Sequence, residues 1–200
     1  MRIKPFNLMK KLSALSVILA LLWVANLSTV LAQQTFSVSN VAEMKVSGTS
    51  TLHDWDMVAE NGVAGQAVMK VEDGKIAEIQ SLNFALETKA LKSGKSSMDK
   101  NAYEAINADD FPKITFQLTQ VEQLTESTVK AKGKLNIGGN SRDIVLNVNY
   151  SVKGNSVVFS GKQDITFEQF SLEPPTAVFG TIKTGNELSL SFNTTYSMKN

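Results

Sequence analysis

The chain has 200 residues, 20 Lys plus Arg against 19 Asp plus Glu, one His and no Cys. The absence of cysteine excludes disulfides, thiol catalysis, thiolate metal sites and a Cys-linked lipid anchor. The near balance of charge argues against a nucleic-acid partner, whose phosphates are neutralised by clustered Lys and Arg.

The first segment reads as an export signal. Arg2, Lys4, Lys10 and Lys11 form a basic start, and no acid occurs before Glu43. An apolar run from Leu12 to Trp23 follows, broken only by Ser13 and Ser16. It is shorter than the roughly 20 residues of a membrane span. Val30-Leu31-Ala32 then supplies the small side chains that a signal peptidase groove accepts. The sequence therefore predicts a cleavable signal peptide over 1–32 and one soluble domain over 33–200, periplasmic or secreted, with no stable membrane anchor after cleavage. Cleavage removes four basic residues and leaves 16 basic against 19 acidic groups, net −3. The 168 residues that remain suffice for one core without staples.

Period-2 alternation dominates that domain. Leu82, Phe84 and Leu86 alternate with Asn83, Ala85 and Glu87; Ile114, Phe116 and Leu118 do so with Thr115, Gln117 and Thr119. Val129, Ala131, Gly133, Leu135 and Ile137 follow the same rule, as do Ile144, Leu146, Val148, Tyr150 and Val152. Leu188, Leu190, Phe192, Thr194 and Tyr196 close the series. Each is a strand with one buried and one wet face. Asp73-Gly74, Gly138-Gly139-Asn140 and Gly154-Asn155 separate neighbours by tight turns, so the strands pair antiparallel. About eight strands are expected, a number that can close into a barrel.

One stretch departs from the pattern. Met98, Ala102, Ala105 and Ile106 follow helical spacing, and Ser96 with Asp99 fits a capping box. A single short helix is expected near 97–106, ended by Asp109-Asp110-Phe111-Pro112. The stretch 173–186, with Pro174-Pro175, Gly180 and Gly185, reads as a long irregular loop of the kind that forms lids or binding elements.

Chemistry is sparse. His53 lies in Ser50-Thr51-Leu52-His53-Asp54-Trp55. A hydrolase using His53 is one reading, but adjacent His53 and Asp54 in an extended segment point to opposite faces, and no G-x-S-x-G turn supplies a nucleophile. One His and no Cys leave a zinc site short of ligands, and Asp54 and Asp56 begin no calcium loop. No metal or cofactor is expected. The alternating apolar faces then either fill a solid core, as in a structural or interaction module, or line a ligand cavity; both need the same pattern.

Several motifs occur in a telling order. Ser97-Met98-Asp99 and Ala105 precede Phe111-Pro112-Lys113-Ile114-Thr115-Phe116; Gly133-Lys134-Leu135-Asn136-Ile137-Gly138-Gly139 follows, then Pro174-Pro175-Thr176-Ala177 and Gly180-Thr181-Ile182-Lys183-Thr184-Gly185. The ordered set, from about Phe36 to Tyr196, resembles the YceI-like family of exported bacterial proteins associated with polyisoprenoid binding. Ser50-Thr51-Leu52-His53-Asp54-Trp55 looks like the opening of one subgroup of that family. The resemblance implies an all-β fold, an antiparallel lipocalin-like β-barrel of about eight strands with one short helix. It implies a non-catalytic protein that holds an isoprenoid, quinone or other lipid in an elongated apolar cavity. Phe84, Leu86, Phe116, Leu146, Val148 and Phe159 are the candidate lining. His53, Trp55 and Tyr103 are the candidate mouth, where a polar tip on an apolar body is useful. Association into a homodimer is left open.

Cleavage is directly testable. N-terminal sequencing of the exported protein should begin at Gln33; an intact Met1 in that fraction contradicts the signal-peptide reading.

Overall fold

In the computed structural model, which describes residues 33–199, a single antiparallel sheet closes on itself. The expected signal peptide lies outside the described residues. Among the described residues eleven strands occur: β1 (Gln34–Ser50), β2 (Trp55–Ala59), β3 (Val63–Glu72), β4 (Lys75–Glu87), β5 (Leu91–Lys92), β6 (Lys113–Leu124), β7 (Thr128–Ile137), β8 (Asn140–Lys153), β9 (Ser156–Thr166), β10 (Thr176–Ala177) and β11 (Ile182–Met198). Eight of them form the wall, in the order β1-β3-β4-β6-β7-β8-β9-β11, and β11 returns to β1 to complete the ring. This is the eight-stranded barrel with one helix that the sequence leads one to expect. The helix, α1, spans Ser96–Ala105.

The alternation translates directly into the wall. Along β8, Ile144, Val148 and Tyr150 are buried while Val145, Asn147, Asn149 and Ser151 are exposed. Along β7, Val129, Ala131, Leu135 and Ile137 are buried. The lysines between them face out: Lys130 pairs with Glu122 at 3.0 Å, and Lys134 and Lys132 reach Asp143 at 3.0 and 3.7 Å. The hydrogen bond and charge of Lys134, with a smaller effect from Lys132, hold the Asp143 carboxyl below its usual pKa. Exposed pairs of this kind order the surface and add little stability. Asp73 and Gly74 are both left-handed (φ 48° and 73°), as the tight β3–β4 hairpin requires. Register shifts in the β3–β4, β6–β7 and β1–β11 ladders bend the wall, since a bulge bends its strand and raises the local twist.

The two ends of the barrel differ. At one end Phe36, Met69, Val157 and Tyr196 are almost completely buried. Phe159 meets the Tyr196 ring edge-on at 5.7 Å and the Tyr150 ring at 6.5 Å. The phenols are satisfied at the periphery: the Tyr150 hydroxyl donates to the Thr125 carbonyl at 2.8 Å and accepts from the Ile76 N–H at 3.3 Å, and Tyr196 donates to the Asn83 carbonyl at 3.3 Å. Burial pushes the Tyr196 phenol far up, so it stays protonated. This end is plugged. At the other end β1 pairs with β3 only through Gln34–Ser37, and Lys45–Gly48 pair with β2 instead. There β2, β5, α1 and the β10–β11 hairpin surround an opening.

Two local expectations are corrected. The helix starts at Ser96, so Ser96 is its first residue and Lys95, which makes no side-chain cap, holds the cap position. Asp99 still reaches back, but to Ser93, accepting from its N–H at 2.7 Å and its hydroxyl at 2.6 Å. The carboxylate thereby occupies the positive end of the helix without a serine cap. The stretch 173–186 is also more regular than a loop. Thr176 and Ala177 pair with Lys183 and Ile182, which makes a hairpin, and Gly185 lies within β11.

The plug should carry much of the stability. Phe36→Ala is expected to lower the unfolding free energy by about 3–5 kcal/mol, read from the urea midpoint; a loss below about 1 kcal/mol would contradict this assignment.

Candidate functional site

Above the plug the interior is hollow. Inward positions on β4, β6, β7, β8 and β11 surround an inner chamber of about 180 Å³. Its wall is hydrocarbon: Phe84, Leu86, Phe116, Leu146, Val148 and Phe159, the six residues expected to line a cavity, all border it. So do Leu82 and Leu190, which the alternation puts on buried faces without marking them as lining, and Met44 and Ile79, which no pattern singled out. A small residue helps keep the space open. Ala131 faces inward on β7, paired across the ladder with Leu146. A large side chain there would remove volume from the chamber.

An outer chamber of about 320 Å³ lies toward the open end. Val46 and Met57 of β1 and β2, Met98 and Ala102 of α1, and Phe167 and Leu188 form its apolar wall. Met98 and Ala102 are four apart and share one helix face, so the helix presents its apolar stripe to the cavity. Val46, Leu91, Ile114, Ile137 and Leu190 line both chambers. The two therefore adjoin as one apolar passage running from the opening to the aromatic plug. The outer chamber alone falls within the roughly 300–1,000 Å³ of small-molecule sites.

His53 and Trp55 stand at the outer chamber. The indole of Trp55 packs flat on Gly48: a Cβ at that position would lie 2.3 Å from Cζ2 of the ring. The indole N–H donates to the Thr49 carbonyl at 3.0 Å. The ring is thus fixed at the rim with its polar edge satisfied. His53 is exposed, and its Nδ1 lies 2.6 Å from the backbone carbonyl of Asp54. The Ser50 hydroxyl donates to the His53 carbonyl at 2.7 Å and accepts from the N–H groups of Leu52 and His53, each at 3.2 Å. Ser50 Oγ and His53 Nδ1 thus bond to the backbone of the turn, and no hydrogen bond links serine, imidazole and the Asp54 carboxylate into a relay. Among the described residues no three His, Asp or Glu side chains converge as a metal site.

Tyr103 is placed elsewhere. It borders a shallow polar depression with Lys89, Lys100 and Glu104, away from the passage. Its hydroxyl donates to the Leu91 carbonyl at 2.6 Å, and Lys92 Nζ lies 5.1 Å from its ring centre. One residue beyond Ala102, it is turned about a quarter of the way round the helix from the face that meets the cavity.

A closed antiparallel barrel with an apolar passage, plugged at one end and rimmed by a tryptophan at the other, defines a small-molecule-binding architecture. The YceI-like domain matches residues 25–196, and the chain belongs to that family. No curated protein matches the chain. Among solved structures, Burkholderia cenocepacia BcnA is similar with a TM-score of 0.60 and 17% identity, over 76% of this chain and 95% of that one. A polyisoprenoid binding domain from Saccharophagus degradans, implicated in plant cell wall breakdown, aligns with a TM-score of 0.60 and 10% identity, over 84% of this chain and all of that one. The Campylobacter jejuni YceI protein aligns with a TM-score of 0.55 and 19% identity, over 68% and 81%. At these identities the likeness is one of fold.

The Trp55 seat can be tested alone. Gly48→Ala should lift the indole from its strand, shift the Trp55 emission maximum to the red and cost about 1–3 kcal/mol. An unchanged spectrum and midpoint would contradict the packing described.

Proposed function

We propose that the protein is an exported, non-catalytic carrier of one long-chain apolar molecule of the isoprenoid or quinone class. The observation that carries the reading is the continuous hydrocarbon passage, blocked by aromatics at its inner end. A linear tail fills such a space; a polar end group stays in the outer chamber, near His53 and Trp55. Membership of the YceI-like family and the polyisoprenoid-binding likeness of fold support that ligand class. Burial of methylenes supplies the drive, at about 0.8 kcal/mol each. The basic start and apolar run before Ala32 support export, to the periplasm or the medium. The Ser50 hydroxyl and His53 Nδ1 both bond to the backbone of their own turn, which supports binding without chemistry.

The solid-core alternative predicts that enlarging an interior residue only strains the fold. Leu146 faces the inner chamber and its neighbour Val145 faces out. Leu146→Trp should remain folded, within about 1–3 kcal/mol of wild type, and bind geranylgeraniol at least about tenfold more weakly, a loss of roughly 1.4 kcal/mol. Val145→Thr should bind as wild type does. Wild-type affinity in Leu146→Trp would contradict the carrier reading.

A further inference from the structure

Among the described residues six large hydrophobic side chains are exposed, and three of them, Leu52, Val178 and Phe179, occur at one place. They crown the open end of the barrel. Leu52 and Val178 line the outer chamber, and Phe179 projects from the same turn, fully exposed. We propose that this crown inserts into the surface of a phospholipid bilayer, so that ligand passes between membrane and cavity without crossing water.

The turn itself points this way. The Gly180 N–H donates to the Ala177 carbonyl at 3.1 Å, closing a β-turn whose central residues are Val178 and Phe179. Both are left-handed, with φ of 49° and 54°. A turn of that hand favours Asn-Gly, and a β-branched residue there is an outlier. The hairpin therefore holds backbone strain and exposes apolar surface at once, a combination that solubility and folding both oppose. Strain of this kind persists where the surrounding structure imposes it, and it clusters at ligand clamps and switches. Here the imposition is visible. Thr51 N–H donates to the Lys183 carbonyl at 2.9 Å, Lys183 N–H donates to Thr51 Oγ1 at 3.1 Å, and Thr184 N–H donates to the Pro175 carbonyl at 3.2 Å. The Leu52 loop and the hairpin are stitched into one rigid lip.

The occupant follows from charge and continuity. Residues 174–182 carry no charge, and Glu173 and Lys183 flank them with opposite signs. Such a tip lacks a partner for a charged surface and suits the apolar boundary of a bilayer, where amphipathic elements bury Trp, Phe and Leu side chains. The lip also borders the outer chamber, so inserted Phe179 and Leu52 would join the membrane hydrocarbon to the apolar passage. This inference rests on the carrier reading above for the nature of the ligand; the docking is tested separately.

The test compares wild type with Phe179→Gly, a residue outside the chamber lining, both expressed from the full-length chain. The substitution installs the residue that the second central position of this turn prefers, so the fold should keep or raise its Tm. Partition onto phosphatidylcholine vesicles should fall about tenfold or more, and uptake of geranylgeraniol from those vesicles should slow in proportion. Geranylgeraniol added from ethanol should bind both proteins equally. Equal vesicle partition overturns the proposal, as does a lowered Tm, which would assign the tip to the fold. Wild type that ignores pure-lipid vesicles and binds only membranes carrying proteins also overturns it, in favour of a protein partner. Wild type that docks on vesicles but takes geranylgeraniol from neither source leaves docking standing and overturns the carrier reading.

Discussion

The pairing of the first wall strand with the last is the constraint on which everything else depends. β1 and β11 run together from Phe36 opposite Met198 to Ser50 opposite Thr184, nearly their full length. Without that seam the sheet would be an open ribbon with two long edges, each a template for aggregation. With it, the strand number fixes the width of the interior, which for eight strands is enough to be filled by side chains or to hold one small ligand. Which of the two results is then decided by a few side chains. Phe36, Tyr150, Phe159 and Tyr196 fill one end, whereas Ala131, between Val129 and Gly133 on the inward face of β7, leaves space in the middle.

The same strand creates the difference between the ends. β1 is shared: its beginning completes the wall against β3, and its far half leaves β3 for β2. Where the two ladders part, the helix and the β10–β11 hairpin fill the periphery and the passage opens. The rim is therefore made of short elements held by side-chain and turn hydrogen bonds, on a wall held by long ladders. Rigid wall and locally built rim is the division of labour expected of a binding barrel, since specificity resides in the connections that a scaffold positions.

Much of the wall was legible from pattern alone. The β7 and β8 alternation specifies which side faces in, and Asp73-Gly74 specifies a hairpin; both are local rules with one outcome. The short strands were not legible. β5 and β10 have two residues each, and β2 shows only Met57 and Ala59 between exposed neighbours, too few for a period to register. The cavity was not legible either. Inward Phe84 or Leu146 reads identically whether it touches a side chain across the barrel or a ligand, because hollowness is a property of the distance between strands far apart in sequence. Family likeness directed attention to His53 and Trp55, which do stand at the outer chamber. Tyr103 shows the limit of a composition argument: an amphipathic ring is useful at a mouth, yet its place on the helix turns it away. Met98 and Ala102 had the opposite fate, since their helical spacing marked an apolar face and only the fold shows that the face meets the passage.

The central claim is that the interior is a container for a lipid. The most direct measurement is native mass spectrometry of the protein purified from the exported fraction, followed by organic extraction and identification of whatever is released. The account predicts one lipid per chain, with a long isoprenoid tail, lost from Leu146→Trp. A protein that leaves the cell with no bound lipid, and takes up none when geranylgeraniol is supplied, would contradict it.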